Sequence, residues 1–252
     1  KNIFSVKLIV DITDAQHLDQ FLGFRKTLSI IKNSNCVIFE SEENNNYWKN
    51  KHQIPSFVCE DTPQHECVYI DFKNRKKKLI WIGSYHTANY LSKYIDLFKL
   101  FSDKGYEIIL LGGTKNISDK LNSIMVPHSY VIDYDLNFLQ KELLSSKISF
   151  IPMENNDLFN FRGSLKAKVS MAYGCLVIAS KNSAHTKLIE NNRTGFLFKD
   201  KIELKEIITK ISNEDLLNKI ALQGNIHVSL NHTRKNHSDK LVQIARNLLI
   251  KK

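Results

Sequence analysis

Arg162, Lys166 and Lys168 crowd the start of a short helical stretch that reads SLKAKVSMAYGCLVIAS from Ser164 to Ser180. A helix N-terminus already carries partial positive charge and N–H groups without intrahelical acceptors. Adding cations there is locally unfavourable unless an anion joins them. Ser164 is a preferred N-cap residue, Arg162 precedes it and Lys166 falls in the first turn. Helix N–H groups with one Lys and one Arg make a diphosphate clamp. The competing use of such lysines is plain solvation at the surface.

Small polar residues punctuate three other places, at Gly83-Ser84, Gly112-Gly113 and Ser180. Each follows an apolar run, and small residues let a backbone approach a ligand closely. The runs are short and continuous, which predicts strands at 79–82, 107–111, 130–133, 148–152, 175–180 and 196–198. Between them, helical periodicity covers 89–104, 117–124, 136–145, the stretch from Ser164, and 184–190. Continuous apolar strands alternating with helices mean a parallel sheet covered on both faces. Such sheets bind ligands beyond the carboxyl ends of their strands. That is where the small residues fall.

The first seventy-odd residues repeat this style with less order: strands at 6–10, 36–39 and 56–59, and a helix over 17–31. Arg75-Lys-Lys-Lys78 reads as a linker, either simply solvated or attracted to anionic lipid at about 1 kcal/mol per basic residue. Residues 202–250 read as two short helices and a longer terminal one. The expected organisation is a partial α/β unit over 1–77, a Rossmann-like domain over 78–212, and helices over 213–252 packing back on the first unit.

The order strand, Gly83-Ser84, helix, strand, Gly112-Gly113, then "ISFIPM", "RGSLKAKVSMAYGCLVIAS" and "KLIENNRTGFLF" resembles the donor-binding domain of GT-B glycosyltransferases. It is most similar to the retaining group that builds bacterial polysaccharides and lipopolysaccharides. That group has a basic helix of the form K-x-x-E-x-M-A-x-G-x-P-V-I-A-S. Lys166, Met171-Ala172, Gly174 and Val177-Ile178-Ala179-Ser180 match it, as Leu188-Ile189-Glu190 and Thr194-Gly195-Phe196-Leu197 match the later L-I-E and T-G-x-L.

The resemblance implies a GT-B fold with a shortened N-terminal unit, and a nucleotide-sugar donor, UDP- or GDP-linked. It implies catalytic roles for Arg162 and Lys166 on the donor diphosphate. Gly83, Ser84, Tyr85, Gly112, Gly113 and Ser180 would line the donor pocket. The base would lie near Asp133 and Tyr134, and Glu190 would support a donor hydroxyl or its loop. It further implies a saccharide or lipid-linked acceptor, and no cofactor or metal, because Arg and Lys carry that charge.

Two departures stand out. The group's paired glutamates, with seven residues between them, fall here on Phe161 and Val169, and its G-x-P-V proline is Leu176. Glu154 and Asp157 are acids near the first position. A non-catalytic nucleotide- or partner-binding module on the same fold is therefore the rival expectation. The second departure is length, since the first unit is only part of a Rossmann-like half. A fragment, a shortened variant and a chain completed by another chain all fit a sequence that begins at Lys1.

The net charge of +10 over 252 residues suits phosphorylated small molecules, a membrane surface or nucleic acid. The basic residues are dispersed, without the aromatic interleaving of an RNA-binding sheet, so nucleic acid is not expected. Cys36, Cys59, Cys67 and Cys175 form no C-x-x-C pair and read as reduced thiols. The expected location is cytoplasmic, with peripheral contact at the inner face of the membrane. Asp11 and Asp14 follow a strand and read as a helix cap or as cleft residues. His86 and His185 sit beside the strand-end turns and read as donor contacts or as plain surface. His227, His232 and His237 are five apart, which does not align metal ligands on one helical face.

Overall fold

The computed structural model describes residues 7–13, 23–154 and 160–250, except for the side chains of His86 and Ile250. Asp14, Asp157, residue 6 of the first expected strand and residues 17–22 of the first expected helix lie outside the described residues.

Two parallel sheets form. The first is β1-β2-β3, with β1 at Ile9–Ile12, β2 at Cys36–Phe39 and β3 at Ser56–Val58. All four residues of the central β2 are buried, as its unbroken apolar sequence requires. Ile31 of α1 (Gly23–Lys32) and Trp48 of α2 (Glu42–His52) cover Val37 and Phe39 on one face.

The second sheet holds β4 (Lys76–Ile82), β5 (Glu107–Leu111), β6 (His128–Val131), β7 (Ser146–Ile151), β8 (Leu176–Ser180) and β9 (Phe196–Phe198). Their spatial order is β6-β5-β4-β7-β8-β9, and every pairing is parallel. The chain runs outward from β4 to β6, then crosses back to β7 and runs out the other side. The carboxyl ends of β4 and β7 therefore form a topological switch point, the crevice where open α/β sheets hold ligands. The connecting helices are α3 (Tyr85–Ala88), α4 (Ile95–Asp103), α5 (Lys115–Ser123), α6 (Leu136–Ser145), α7 (Leu165–Ala172) and α8 (Ser183–Leu188). The chain closes with α9 (Lys201–Lys210), α10 (Glu214–Asn231) and α11 (Arg234–Ile250).

The strands at 36–39, 107–111 and 196–198 and the helix at 136–145 have the bounds their apolar patterns predict. Other expectations need correction. Residues 75–78 are no linker. Lys76 opens β4 opposite Ser146, Lys78 pairs with Glu107 in register, and its ammonium meets Glu142 at 2.8 Å. Arg75 is buried, donating to the carbonyls of Ile70, Leu143, Ser146 and Tyr173. The span 89–104 divides into a 3-10 segment at Asn89–Tyr94 followed by α4. The tail has one short helix and two long ones. Of the long ones, α10 lies against α7 and β8, while Ile244 of α11 packs against Cys36 and Ile38 of the first sheet.

Candidate active site

The switch point is built from tightly fitted small residues. A Cβ on Gly83 would sit 2.1 Å from the Trp81 ring, so only glycine lets β4 turn there. Gly112 has φ +77°, and a Cβ on it would sit 2.1 Å from the Gly83 carbonyl oxygen. Gly112 thus lies behind the Gly83-Ser84 turn and holds it in place. The Gly83 N–H donates to Leu111 O at 2.9 Å and the Ser84 N–H to Thr87 Oγ1 at 3.0 Å.

Across the crevice, the chain after β7 brings in Arg162 and the start of α7. Ser164 is buried, but its hydroxyl makes no cap bond and its backbone is not extended (φ −105°, ψ 22°). The expected serine cap is absent, and the first-turn N–H groups of α7 have no intrahelical acceptor. Gly83, Ser84, Arg162 and Lys166 together line a cavity of about 450 Å³. The first sheet contributes to it too. Glu40, the residue after β2, lines the same cavity, and a Cβ on Gly163 would sit 1.8 Å from its Oε1. Gly163 therefore makes room for the Glu40 carboxylate over the loop that carries Arg162.

A second cavity of about 210 Å³ adjoins the first, and Leu165 and Lys166 line both. Its other walls include Ile82 from β4, Leu136 and Leu139 from α6, Val169 from α7 and Tyr173, the residue that follows α7. The Tyr173 phenol is buried and has no hydrogen-bond partner among the described residues.

The remaining expected site residues lie elsewhere. Gly113 packs against Leu110 and Tyr130. Tyr85, Asp133 and Tyr134 line neither cavity, and Tyr134 packs on the core around Ile80 and Leu111. Ser180 is buried and accepts from the Met153 N–H at 2.8 Å, so it pins the loop after β7. Glu190 forms an exposed ion pair with Arg193 at 2.8 Å. His185 is fully buried, its Nδ1 at 2.8 Å from Ser180 O, and burial pushes its imidazole down to about 4. It is neither surface nor loop, but a packed group beneath Ser180.

Lys168 is the sharpest correction. It is 1% exposed, and its ammonium lies 2.6 Å from Glu60 Oε2 and 2.9 Å from Asp61 O. It is not part of an anion clamp but a tie between α7 and the segment after β3. Further ties join the two sheets. Ser41 Oγ donates to Phe161 O at 2.7 Å, Lys187 meets Glu42 and Glu43, and Ser183 donates to Glu43. Phe161 itself stacks edge-on against Tyr47 of α2, so the position expected to be acidic serves inter-sheet packing.

Glu40 was missed by sequence reasoning. The signal was present: Glu40 directly follows the apolar run CVIF, at a strand's carboxyl end, the placement that singled out Gly83 and Gly112. Among the described residues, no group of three or more His, Cys, Asp or Glu is arranged to hold a metal ion, and no helix is long and apolar enough to cross a membrane.

This architecture is that of the GT-B glycosyltransferases. An S. aureus TarM variant in complex with fondaparinux, α-GlcNAc-glycerol and UDP superposes with TM-score 0.76 at 13% identity, over 97% of this chain and 52% of that one. Sucrose-phosphate synthase from Thermosynechococcus elongatus matches with TM-score 0.73 at 14% identity, over 96% of this chain and 65% of that one. HepE from Anabaena, in complex with UDP and glucose, matches with TM-score 0.75 at 13% identity, over 95% of this chain and 71% of that one. The chain thus has the GT-B fold and spans about half of TarM and 65% of the synthase. No family model matches the sequence, and no curated protein matches it.

Proposed function

We propose that this chain is the donor-binding and cleft-forming part of a glycosyltransferase that takes a sugar from a nucleotide donor with retention, in cell-surface polysaccharide or lipopolysaccharide assembly. The observation that carries this reading is the convergence of Arg162, Lys166, the uncapped start of α7 and the Gly83-Ser84 turn on one cavity at the switch point. In this reading the donor diphosphate lies between Arg162 and Lys166, with the first-turn N–H groups of α7 beneath it. Charge growing on the leaving diphosphate is stabilised by these two cations, which need no reorganisation at the moment of reaction. That assignment gives the cations the work a metal would otherwise do.

Glu40 is the acid that faces the transferred sugar, taking the place left by Phe161. The acceptor, a saccharide or a lipid-linked saccharide, enters from the side of the first sheet. UDP is the first nucleotide to test, because two of the similar structures hold it. The rival reading, a binding module that transfers nothing, is favoured by Phe161 and Val169, which leave the two expected acidic positions without acids.

Thermal shift against UDP, GDP, ADP, CMP and their common sugars tests the reading. Ligand at a hundred times its Kd stabilises the fold by about 2.7 kcal/mol, which raises the Tm by several degrees. The expected result is a shift with one nucleotide diphosphate that disappears in Lys166→Ala while the unliganded Tm stays the same. No shift with any nucleotide refutes the donor site. Binding without sugar release or transfer in the presence of acceptor selects the rival.

A further inference from the structure

Glu40 is fixed by the chain on both sides of it. Before it, the carbonyl of Phe39 at the end of β2 accepts the Cys59 N–H at 2.9 Å. After it, Ser41 caps α2, accepting the Asn44 N–H at 3.2 Å and donating to Phe161 O at 2.7 Å. The Glu40 carboxylate is thereby held over Gly163, in the cavity that Arg162 and Lys166 also line. Among the described residues lining that cavity it is the one acid. Lys187 on α8 does not offset it, because that ammonium meets Glu42 and Glu43 at 2.8 and 2.9 Å.

We propose that Glu40 restricts the donor to nucleotide-linked uncharged sugars and excludes hexuronates and other sugars that carry a carboxylate. The inference rests on the donor-site reading above and extends it to the sugar. The diphosphate of a nucleotide sugar carries two negative charges, which Arg162 and Lys166 balance. Glu40 then leaves the occupied cavity negative, even with the partial positive charge of about half a unit at the amino end of α7. A compact cavity of about 450 Å³ is about one Debye length across, so a further negative charge on the ligand is repelled wherever in it the sugar lies. The selection therefore depends on the sign of the charge and not on one pose. An uncharged sugar brings hydroxyls that donate to the carboxylate instead. Rejection by a like charge is a common way for a site to choose between ligands of the same shape.

Isothermal titration of the full chain tests this with UDP-glucose against UDP-glucuronate, GDP-mannose against GDP-mannuronate, and free UDP and GDP. In the pair that binds, the uronate is expected to bind about tenfold more weakly, the penalty of one uncompensated like charge at this range. A difference under about fivefold overturns the proposal and leaves the donor site standing. Binding of a free diphosphate but of neither of its sugar forms also overturns it, and leaves a nucleotide site alone. Absence of binding by all six ligands overturns the proposal together with the UDP- or GDP-linked donor. Glu40→Gln keeps the shape and removes the charge, and is expected to bring the ratio below about fivefold. A folded Glu40→Gln protein that keeps the wild-type ratio overturns the proposal. The corresponding uronamide, which has the shape of the uronate without its charge, makes the same distinction on the wild-type protein. It is expected to bind as the uncharged sugar does. An amide as weak as the acid shows that shape, and not the Glu40 charge, rejects the uronate, and overturns the proposal even where the variant does not fold.

Discussion

The two ends of α7 are treated in opposite ways. At the carboxyl end the chain satisfies the helix with its own groups. Asn225 donates to the carbonyls of Met171 and Ala172 at 3.0 and 2.8 Å, and Arg75 donates to that of Tyr173. The next residue is Gly174, whose added Cβ would sit 2.6 Å from the Arg75 guanidinium. At the amino end Ser164 leaves the first turn uncapped, and Arg162 and Lys166 add positive charge beside it. A cation at a helix carboxyl end is favourable, and a cation at the amino end is not. One end is therefore finished by folding alone. The other is the end that the proposed donor diphosphate would complete.

Removing Arg75 should have the largest effect on this contrast. Among the described residues its guanidinium has no carboxylate partner and is held by four carbonyls, from the segment before β4, the end of α6, the start of β7 and the end of α7. Arg75→Ala removes the charged donor from all four carbonyls, of which Leu143 O keeps the Ser146 N–H and both Leu143 O and Ser146 O keep the Cys175 thiol, and should cost about 3–5 kcal/mol. Urea denaturation measures it. Arg75→Lys should recover little, because an ammonium cannot reproduce the planar fork. Nucleotide affinity of the folded fraction should stay the same. A stability loss under about 1 kcal/mol would mean that the carboxyl end is not held by this group, since surface substitutions cost no more.

The second effect concerns the layer under the site. Burial, with a smaller push from Lys166, lowers the His185 imidazole from an ordinary 6.5 to about 4, against the opposing pull of its bond to Ser180 O. Between these values the unfolded chain binds a proton that the folded chain does not. Stability from this group is full above pH 6.5 and is lost as the pH falls toward 4. The loss amounts to about 3 kcal/mol at one pKa unit per 1.36 kcal/mol. Comparing ΔG of wild type and His185→Asn at pH 7 and pH 4 isolates it from the carboxylates. The wild type should lose more by about that amount, and parallel losses would show that His185 titrates normally.

These contrasts were unequally legible in the sequence. The strand ends Gly83-Ser84 and Gly112 could be read because continuous apolar runs end there in small residues. Arg162 and Lys166 could be read because cations beside a helix start are locally unfavourable. Arg75 could not, because three of its four acceptors are backbone carbonyls from distant stretches, at residues 143, 146 and 173, and a basic run before a strand reads as surface. Lys168 looked like a further cation at the helix start or a solvated surface residue. Its partner Glu60 lies 108 residues earlier in the chain. The helix α2 was hidden by a polar sequence, EENNNYWKNKH, of which only Asn44 and Trp48 are buried. Local pattern shows where an apolar element begins and ends. It does not show which charged side chain a distant segment will need.

The smallest expected effect is also the most direct test of the open end. Ser164→Asp places a carboxylate where the chain leaves its first turn uncapped, in reach of Arg162 and Lys166. Ser164 is 4% exposed, so the two added heavy atoms must settle toward the cavity rather than the core. A carboxylate at a helix amino end should stabilise the unliganded protein by about 0.5–1 kcal/mol. That corresponds to a rise of about 1–4 °C in Tm for a chain of this size. The same carboxylate competes with a bound diphosphate for the N–H groups and the cations, so nucleotide affinity should fall by about tenfold, or 1.4 kcal/mol. The two changes have opposite signs because one anion takes the place of another. A variant that is more stable and still binds nucleotide as tightly would show that the amino end of α7 does not receive the diphosphate.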